Sequence, residues 1–139
     1  MDIRALQPTD LKPLYDFWHQ QINLQKLLYK PMDENTFQSK FYNNDLEKRI
    51  VTYLALRDDH IIGCISGVIY PERNKTYLSM ILVSQNHQHQ SIASTLLNVF
   101  EQNVKDDPRA PKTIDIVFFN PIQFEWLIPN TLSHDHPNT

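Results

Sequence analysis

The chain has 139 residues, of which 41% are hydrophobic and 11% aromatic, enough to bury one core of ordinary domain size. Charged residues make up 21% and the formal net charge is −3, a balance with no electrostatic footprint for DNA or RNA and no polybasic patch for a membrane surface. The single cysteine, Cys64, excludes a disulfide within the chain, no apolar stretch approaches the about 18 residues of a membrane span, and "MDIRALQPTD" lacks the basic and apolar regions of a signal peptide, so the expected location is the cytoplasm.

Residues 1–6 read as a short strand with Ile3 and Ala5 on one face and Arg4 on the other. Thr9 or Asp10 then offers an N-cap. Leu11, Leu14, Phe17, Trp18 and Ile22 recur at three- and four-residue spacing, the pattern of an amphipathic helix. "INLQKLLYK" reads equally as helix or loop. "KPMDENTFQSKFY" predicts a second, weaker helix capped by Asp33, with Phe37 and Phe41 one turn apart.

Alternation in "RIVTYLALRDDHIIGCISGVIY" predicts a hairpin that turns at Asp58-Asp59-His60. Cys64 lies in its apolar second arm and reads as a small buried hydrophobe. "PERNK" turns the chain again into "TYLSMILV", a third consecutive strand. Ile92, Leu96, Val99, Phe100 and Val104 then form a helical stripe that ends near "KDDPRAP", where Pro108 cannot continue it. "KTIDIVFFN" is a further strand, with Ile114, Ile116 and Phe118 on one face. A strand, a helix and a strand make a crossover, so those two strands should run parallel. The order is β-α-α-β-β-β-α-β. It predicts an α/β (α+β) domain with a mixed, mostly antiparallel central sheet and helices on both faces.

Between the third consecutive strand and the long helix lies "SQNHQHQSIASTLL". Seven polar residues lead straight into the apolar-periodic segment. A helix start leaves its first N–H groups without internal partners, and the peptide dipoles add partial positive charge there. A loop around such a start is an anion site, and phosphate suits it. The side chains at this mouth are neutral or weakly basic, so binding would rest on the backbone. Ser91 also fits a bare N-cap on a helix that binds nothing.

The stretch resembles the acyl-CoA signature of the GNAT superfamily of N-acyltransferases, Gln/Arg-x-x-Gly-x-Gly/Ala at the start of the central helix. Gln88 and Ala93 match; Ser91 stands where the first glycine would be. Val83 falls where the family's strand ends in a branched apolar residue, and Gln85 where the family often has proline. Asn120, closing "IVFFN", resembles the family's Asn at the end of the fifth strand. The element order agrees over residues 2–120. The resemblance implies that the fourth and fifth strands part and that acetyl-CoA enters the gap. Its pantetheine arm would pair with backbone of Ile81, Leu82 and Val83, and its pyrophosphate would rest on the loop formed by Gln88, His89, Gln90, Ser91, Ile92, Ala93 and Ser94. A strand N–H would polarise the thioester carbonyl while an amine attacks directly. Serine in place of glycine restricts a positive φ and close backbone approach, so weakened CoA binding is expected.

Other constellations carry less. His87/His89 and His134/His136 form two H-x-H pairs, but no cysteine or acidic cluster completes a familiar spacing, and no metal is expected. Tyr70, Glu72 and His87 are candidate bases near the strand ends; Glu72 also reads as a turn residue, and Glu125 as a surface one. The family often uses a tyrosine after the fifth strand as general acid, yet no tyrosine follows Tyr77. Trp18, Phe118 and Phe119 read as core. Phe124, Trp126, Leu127 and Ile128 stand just before a polar end. A usual domain of the family continues with a helix and two more strands, so either the domain is C-terminally abbreviated or the chain is a piece of something longer. Residues 1–120 are the expected acyl-CoA-binding domain and 121–139 an extension or linker. "EWLIPNTLSHDHPNT" resembles the link ending the first half of some two-domain bacterial GNAT proteins, which implies packing on a second GNAT domain or a second copy of the chain. The leading expectation is an acetyl-CoA-dependent N-acetyltransferase acting on an amine. The alternatives are a catalytically silent GNAT-like half that serves as a structural or ligand-sensing module, and a plain α/β interaction module.

Overall fold

In the computed structural model, which describes residues 1–27, 30–42, 49–73, 75–107, 115–118 and 134–135, six strands form one sheet in chain order. β1 (Asp2–Ala5), β2 (Ile50–Arg57), β3 (His60–Tyr70) and β4 (Lys75–Val83) run antiparallel. β5 (Asp115–Phe118) lies parallel to β4, as the crossover through α3 (Ile92–Asp106) requires. β6 (His134–Asp135), parallel to β5, adds an element in a stretch read as polar tail. Two residues carry no readable period. Ile114, Phe119, Asn120, Phe124, Glu125, Trp126, Leu127, Ile128 and His136 lie outside the described residues.

Local chemistry accounts for the joints. Asp58 and Asp59 have φ of 51° and 63°, the left-handed pair that a two-residue type I′ hairpin demands and that Asp tolerates. His60 already belongs to β3. α1 (Leu11–Leu24) takes in part of the segment left ambiguous above, and α2 (Glu34–Phe41) begins with Asp33 accepting from the Thr36 N–H at 2.8 Å. Asp10 does not cap α1 with its side chain. A 3-10 turn, Pro8–Asp10, comes first, and the Asp10 carboxylate turns back to accept from the Gln7 N–H at 2.8 Å and from Arg4 at 2.5 and 2.9 Å. The Arg4 guanidinium, then the Gln7 N–H, hold the Asp10 carboxyl below its ordinary range, against its partial burial.

Alternation along the strands gives the sheet two dry faces. Ile65, Ile69, Leu78 and Ile81 point at α3 and meet Leu96, Leu97, Phe100 and Val104. Leu54, Cys64, Met80 and Leu82 point the other way, at Leu14, Trp18, Phe37 and Phe41 of α1 and α2. Cys64 is fully buried and its thiol is pushed up to about 12, so it packs as an inert apolar group. Among the described residues no helix is long and apolar enough to cross a membrane.

One irregularity matters most. Ser66 pairs with Met80 but Gly67 pairs with Leu78, so Ser79 is an extra residue on β4. Such a bulge bends the strand that carries it. The described residues of β5 pair with β4 from Lys75 to Leu78. Gly67, opposite the bulge, has no room for a side chain. A Cβ there would meet the Phe100 ring at 2.5 Å and the Tyr77 carbonyl oxygen at 2.7 Å.

Two outcomes follow from this packing. Gly67→Ala must push Phe100 or the bulge aside, and it should lower stability in urea unfolding by about 1–3 kcal/mol. Asp10→Asn should be less stable than the parent at pH 7. Because the folded carboxyl titrates below the unfolded one, near 3.9, that advantage is complete above the unfolded value. It drains away as pH falls through the folded one. Urea midpoints of the two proteins should therefore converge as pH falls from the unfolded value through the folded one.

Candidate functional site

Where β4 ends at Val83, its backbone turns outward. The Ser84 N–H bonds to the Ile62 carbonyl on β3 at 2.8 Å. Successive residues of a strand alternate the edge they address, so Leu82 and Ser84 face β3 while Ile81 and Val83 face the opposite edge. Their side chains are buried. What they can offer a ligand is therefore backbone, and the Val83 carbonyl already accepts from Gln25 Nε2 at 2.8 Å.

Past Val83 the chain makes a 3-10 turn, Gln85–His87, and a tight loop before α3. His89 and Ser91 both have positive φ, 65° and 62°. Ser91 caps nothing with its hydroxyl; it occupies the left-handed conformation that glycine accepts freely. The first intrahelical bond runs from the Thr95 N–H to the Ser91 carbonyl at 3.0 Å. Helix geometry thus leaves the amides of residues 92–94 for an outside acceptor. A cavity of about 450 Å³ opens there, lined by Val83, by residues 87–89 and by residues 91–94. No lysine or arginine is among those lining residues. The positive end of α3 and its free amides supply what attraction for an anion there is. His87 Nδ1 is sealed from solvent with no hydrogen-bond partner among the described residues. Gln90, outside the cavity lining, accepts from Arg57 at 3.2 Å on the rim.

The residues singled out in the sequence divide by position. Val83, Gln88, His89, Ser91, Ile92, Ala93 and Ser94 come together around the cavity with His87. Ile81 lies two residues back and addresses the same edge as Val83, and Leu82 turns to β3. Tyr70 and Glu72 stand at the other end of β4, about 26 Å away along eight strand residues. Tyr70 meets Tyr77 edge-on at 5.3 Å, and Glu72 pairs with Arg49 at 2.8 Å. Among the described residues no group of three or more His, Cys, Asp or Glu could hold a metal ion.

A central strand that ends beside a cavity at the start of α3, with β5 parallel to it, is the strand–loop–helix order on which the resemblance rests. Residues 15–120 match the Acetyltransferase (GNAT) family. The chain belongs to that family. Solved structures with the GNAT fold superpose over most of its length. A ribosomal-protein-alanine N-acetyltransferase from Brucella melitensis biovar Abortus 2308 aligns with a TM-score of 0.73 at 16% identity, over 96% of this chain and 93% of its own. An aminoglycoside acetyltransferase from an uncultured soil metagenomic sample, in complex with sisomicin, gives 0.68 at 16% identity over 96% and 90%. A PaiA N-acetyltransferase from Thermoplasma acidophilum, in complex with coenzyme A, gives 0.65 at 20% identity over 93% and 87%. No curated protein sequence matches the chain.

Two residues around this GNAT loop went unread in the sequence. Gln25 donates to the Val83 carbonyl and accepts from Gln88, while Gln21 accepts from the Gln85 N–H. Their only sequence signal is a spacing of four at the end of an amphipathic helix, which puts both on one face.

The strain at residue 91 is measurable without any ligand. Ser91→Gly should raise stability by about 0.5–1 kcal/mol, since glycine takes the left-handed conformation without the Cβ penalty. Ser91→Val should lower it, as β-branched residues fit that region worst. Thermal unfolding of the three proteins checks both signs.

Proposed function

We propose that this GNAT domain binds acetyl-CoA along the end of β4 and transfers its acetyl group to an amine by direct attack. The observation that carries the reading is the cavity at the α3 start, lined by Val83 at the end of β4, by the loop residues His87, Gln88, His89 and Ser91, and by the first turn of α3. Acetyl-CoA, when bound, supplies an activated acetyl thioester. The chain's own groups do the rest. The amides of residues 92–94 receive the diphosphate, with Ser91 and Gln88 shaping the loop. The backbone of Ile81 and Val83 pairs with the amide-rich arm. A strand N–H facing the edge is suited to polarising the carbonyl that the amine attacks. Asn120, two residues beyond the end of β5 in the sequence, belongs to the same proposed site.

A second reading is a GNAT domain that binds acetyl-CoA without turning it over. Glu72 and Tyr70 lie far along β4 from the cavity and are engaged with Arg49 and Tyr77, which favours it. Only His87 of the three candidate bases borders the cavity. In both readings residues 1–120 form the acyl-CoA-binding unit, with 121–139 as an extension that packs on a second copy or a further domain. A cytoplasmic site of action, with its acetyl-CoA, completes the proposal.

Calorimetric titration with acetyl-CoA should give micromolar to submillimolar binding. Ser91→Glu should weaken it by about tenfold or more, because a carboxylate would face the diphosphate at short range. Absence of binding, or no effect of Ser91→Glu, sinks the cradle. Turnover against a panel of amines then separates transferase from silent domain.

A further inference from the structure

The cradle loop holds two left-handed residues, His89 and Ser91, and neither is glycine. Such conformations persist only where the surroundings impose them. The imposing contacts come from the end of α1. Gln21 is 4% exposed, so its amide is desolvated and must be satisfied inside. Its Oε1 accepts from Gln25 Nε2 at 2.8 Å and from the Gln85 N–H at 2.9 Å. Gln25 Nε2 spends its other hydrogen on the Val83 carbonyl, also at 2.8 Å. Gln25 Oε1 then accepts from Gln88 Nε2 at 2.6 Å. One side-chain amide therefore ties the first residue of the cradle to the last residue of β4, and a second braces it. The Val83 carbonyl faces away from β3 and Val83 lines the cavity, so Gln25 stands where the arm of a bound acyl-CoA would end and its diphosphate begin.

We propose that Gln25, braced by Gln21, is a positioning residue for acyl-CoA. It holds residues 88–91 in the shape that presents the α3 amides and marks the cradle end of the β4 edge. The proposal rests on the acyl-CoA reading above. Without the bridge the loop samples other shapes, and the apparent affinity falls by the fraction of molecules still competent. The bridge needs both N–H donors of Gln25, so an isosteric carboxylate cannot replace it.

The test uses the full chain with Gln25→Ala, Gln25→Glu and, as control, Gln20→Ala, an exposed neighbour on α1. Acetyl-CoA titration should show Kd raised about tenfold in both Gln25 variants and unchanged in the control. With any amine that is turned over, KM for acetyl-CoA should rise in step, with kcat and the amine KM within about twofold. Amide hydrogen exchange of the ligand-free proteins should quicken at residues 88–94 and stay as in the parent at residues 96–104. Parent-like affinity in Gln25→Ala overturns the proposal. So does exchange that quickens throughout α3 and β4, since that marks a general loss of stability. If the parent itself binds no acetyl-CoA, the acyl-CoA reading falls and takes the positioning role with it. The exchange arm then reports separately whether Gln25 holds the loop.

Discussion

The whole arrangement depends on one extra residue in a strand. With Ser79 inserted, β4 keeps its ladder with β3 to the end but changes side-chain phase part-way. Leu78 before the bulge and Ile81 after it therefore both reach the α3 core. Gly67 makes the bulge possible. It lets the Phe100 ring lie against β3 where any side chain would collide. A core contact on the α3 face and the change of phase in β4 are thus one feature.

The loop beyond β4 continues the same logic. α3 is anchored by Ile92, Leu96, Leu97, Phe100 and Val104 against the sheet, so its axis and its positive end are fixed by the core. The loop must then cover a set distance from Val83 to Ile92. Two left-handed residues accomplish that, at a local conformational cost. α1, on the opposite face of the sheet, offsets the cost through Gln21 and Gln25. Both helical layers therefore meet at the mouth of the cavity, although each belongs to a different core.

The sequence carried the periodic parts of this structure well. Three- and four-residue stripes located α1 and α3, and alternation located β2, β3 and β4, because burial on a fixed face leaves a period that a single chain displays. The polar run from Gln88 to Ser91 marked the cavity for the same reason in reverse: it breaks the pattern where backbone is needed and side chains are not. The bulge was not legible. A one-residue insertion flips the side-chain phase, yet "TYLSMILV" is apolar on both faces and hides the flip. The left-handed backbone of Ser91 was equally silent, since serine announces an N-cap and gives no sign of φ. Gln21 and Gln25 look like ordinary polar residues of an amphipathic helix. Their meaning depends on Gln88 and Val83, about sixty positions away in the chain.

Charge bears on how such a site discriminates. Among the described residues the cavity lining contains two imidazoles and no lysine or arginine, and Arg57 meets Gln90 at the rim. A site built on side-chain cations attracts any anion, and its affinity falls with salt. A site built on backbone amides attracts only an anion whose oxygens meet those amides, because the donors cannot move to follow it. Affinity then becomes a property of loop shape rather than of net charge, which is −3 for the chain as a whole. An uncharged pair of glutamines and one left-handed serine accordingly matter through geometry: they bear on where the loop holds those amides.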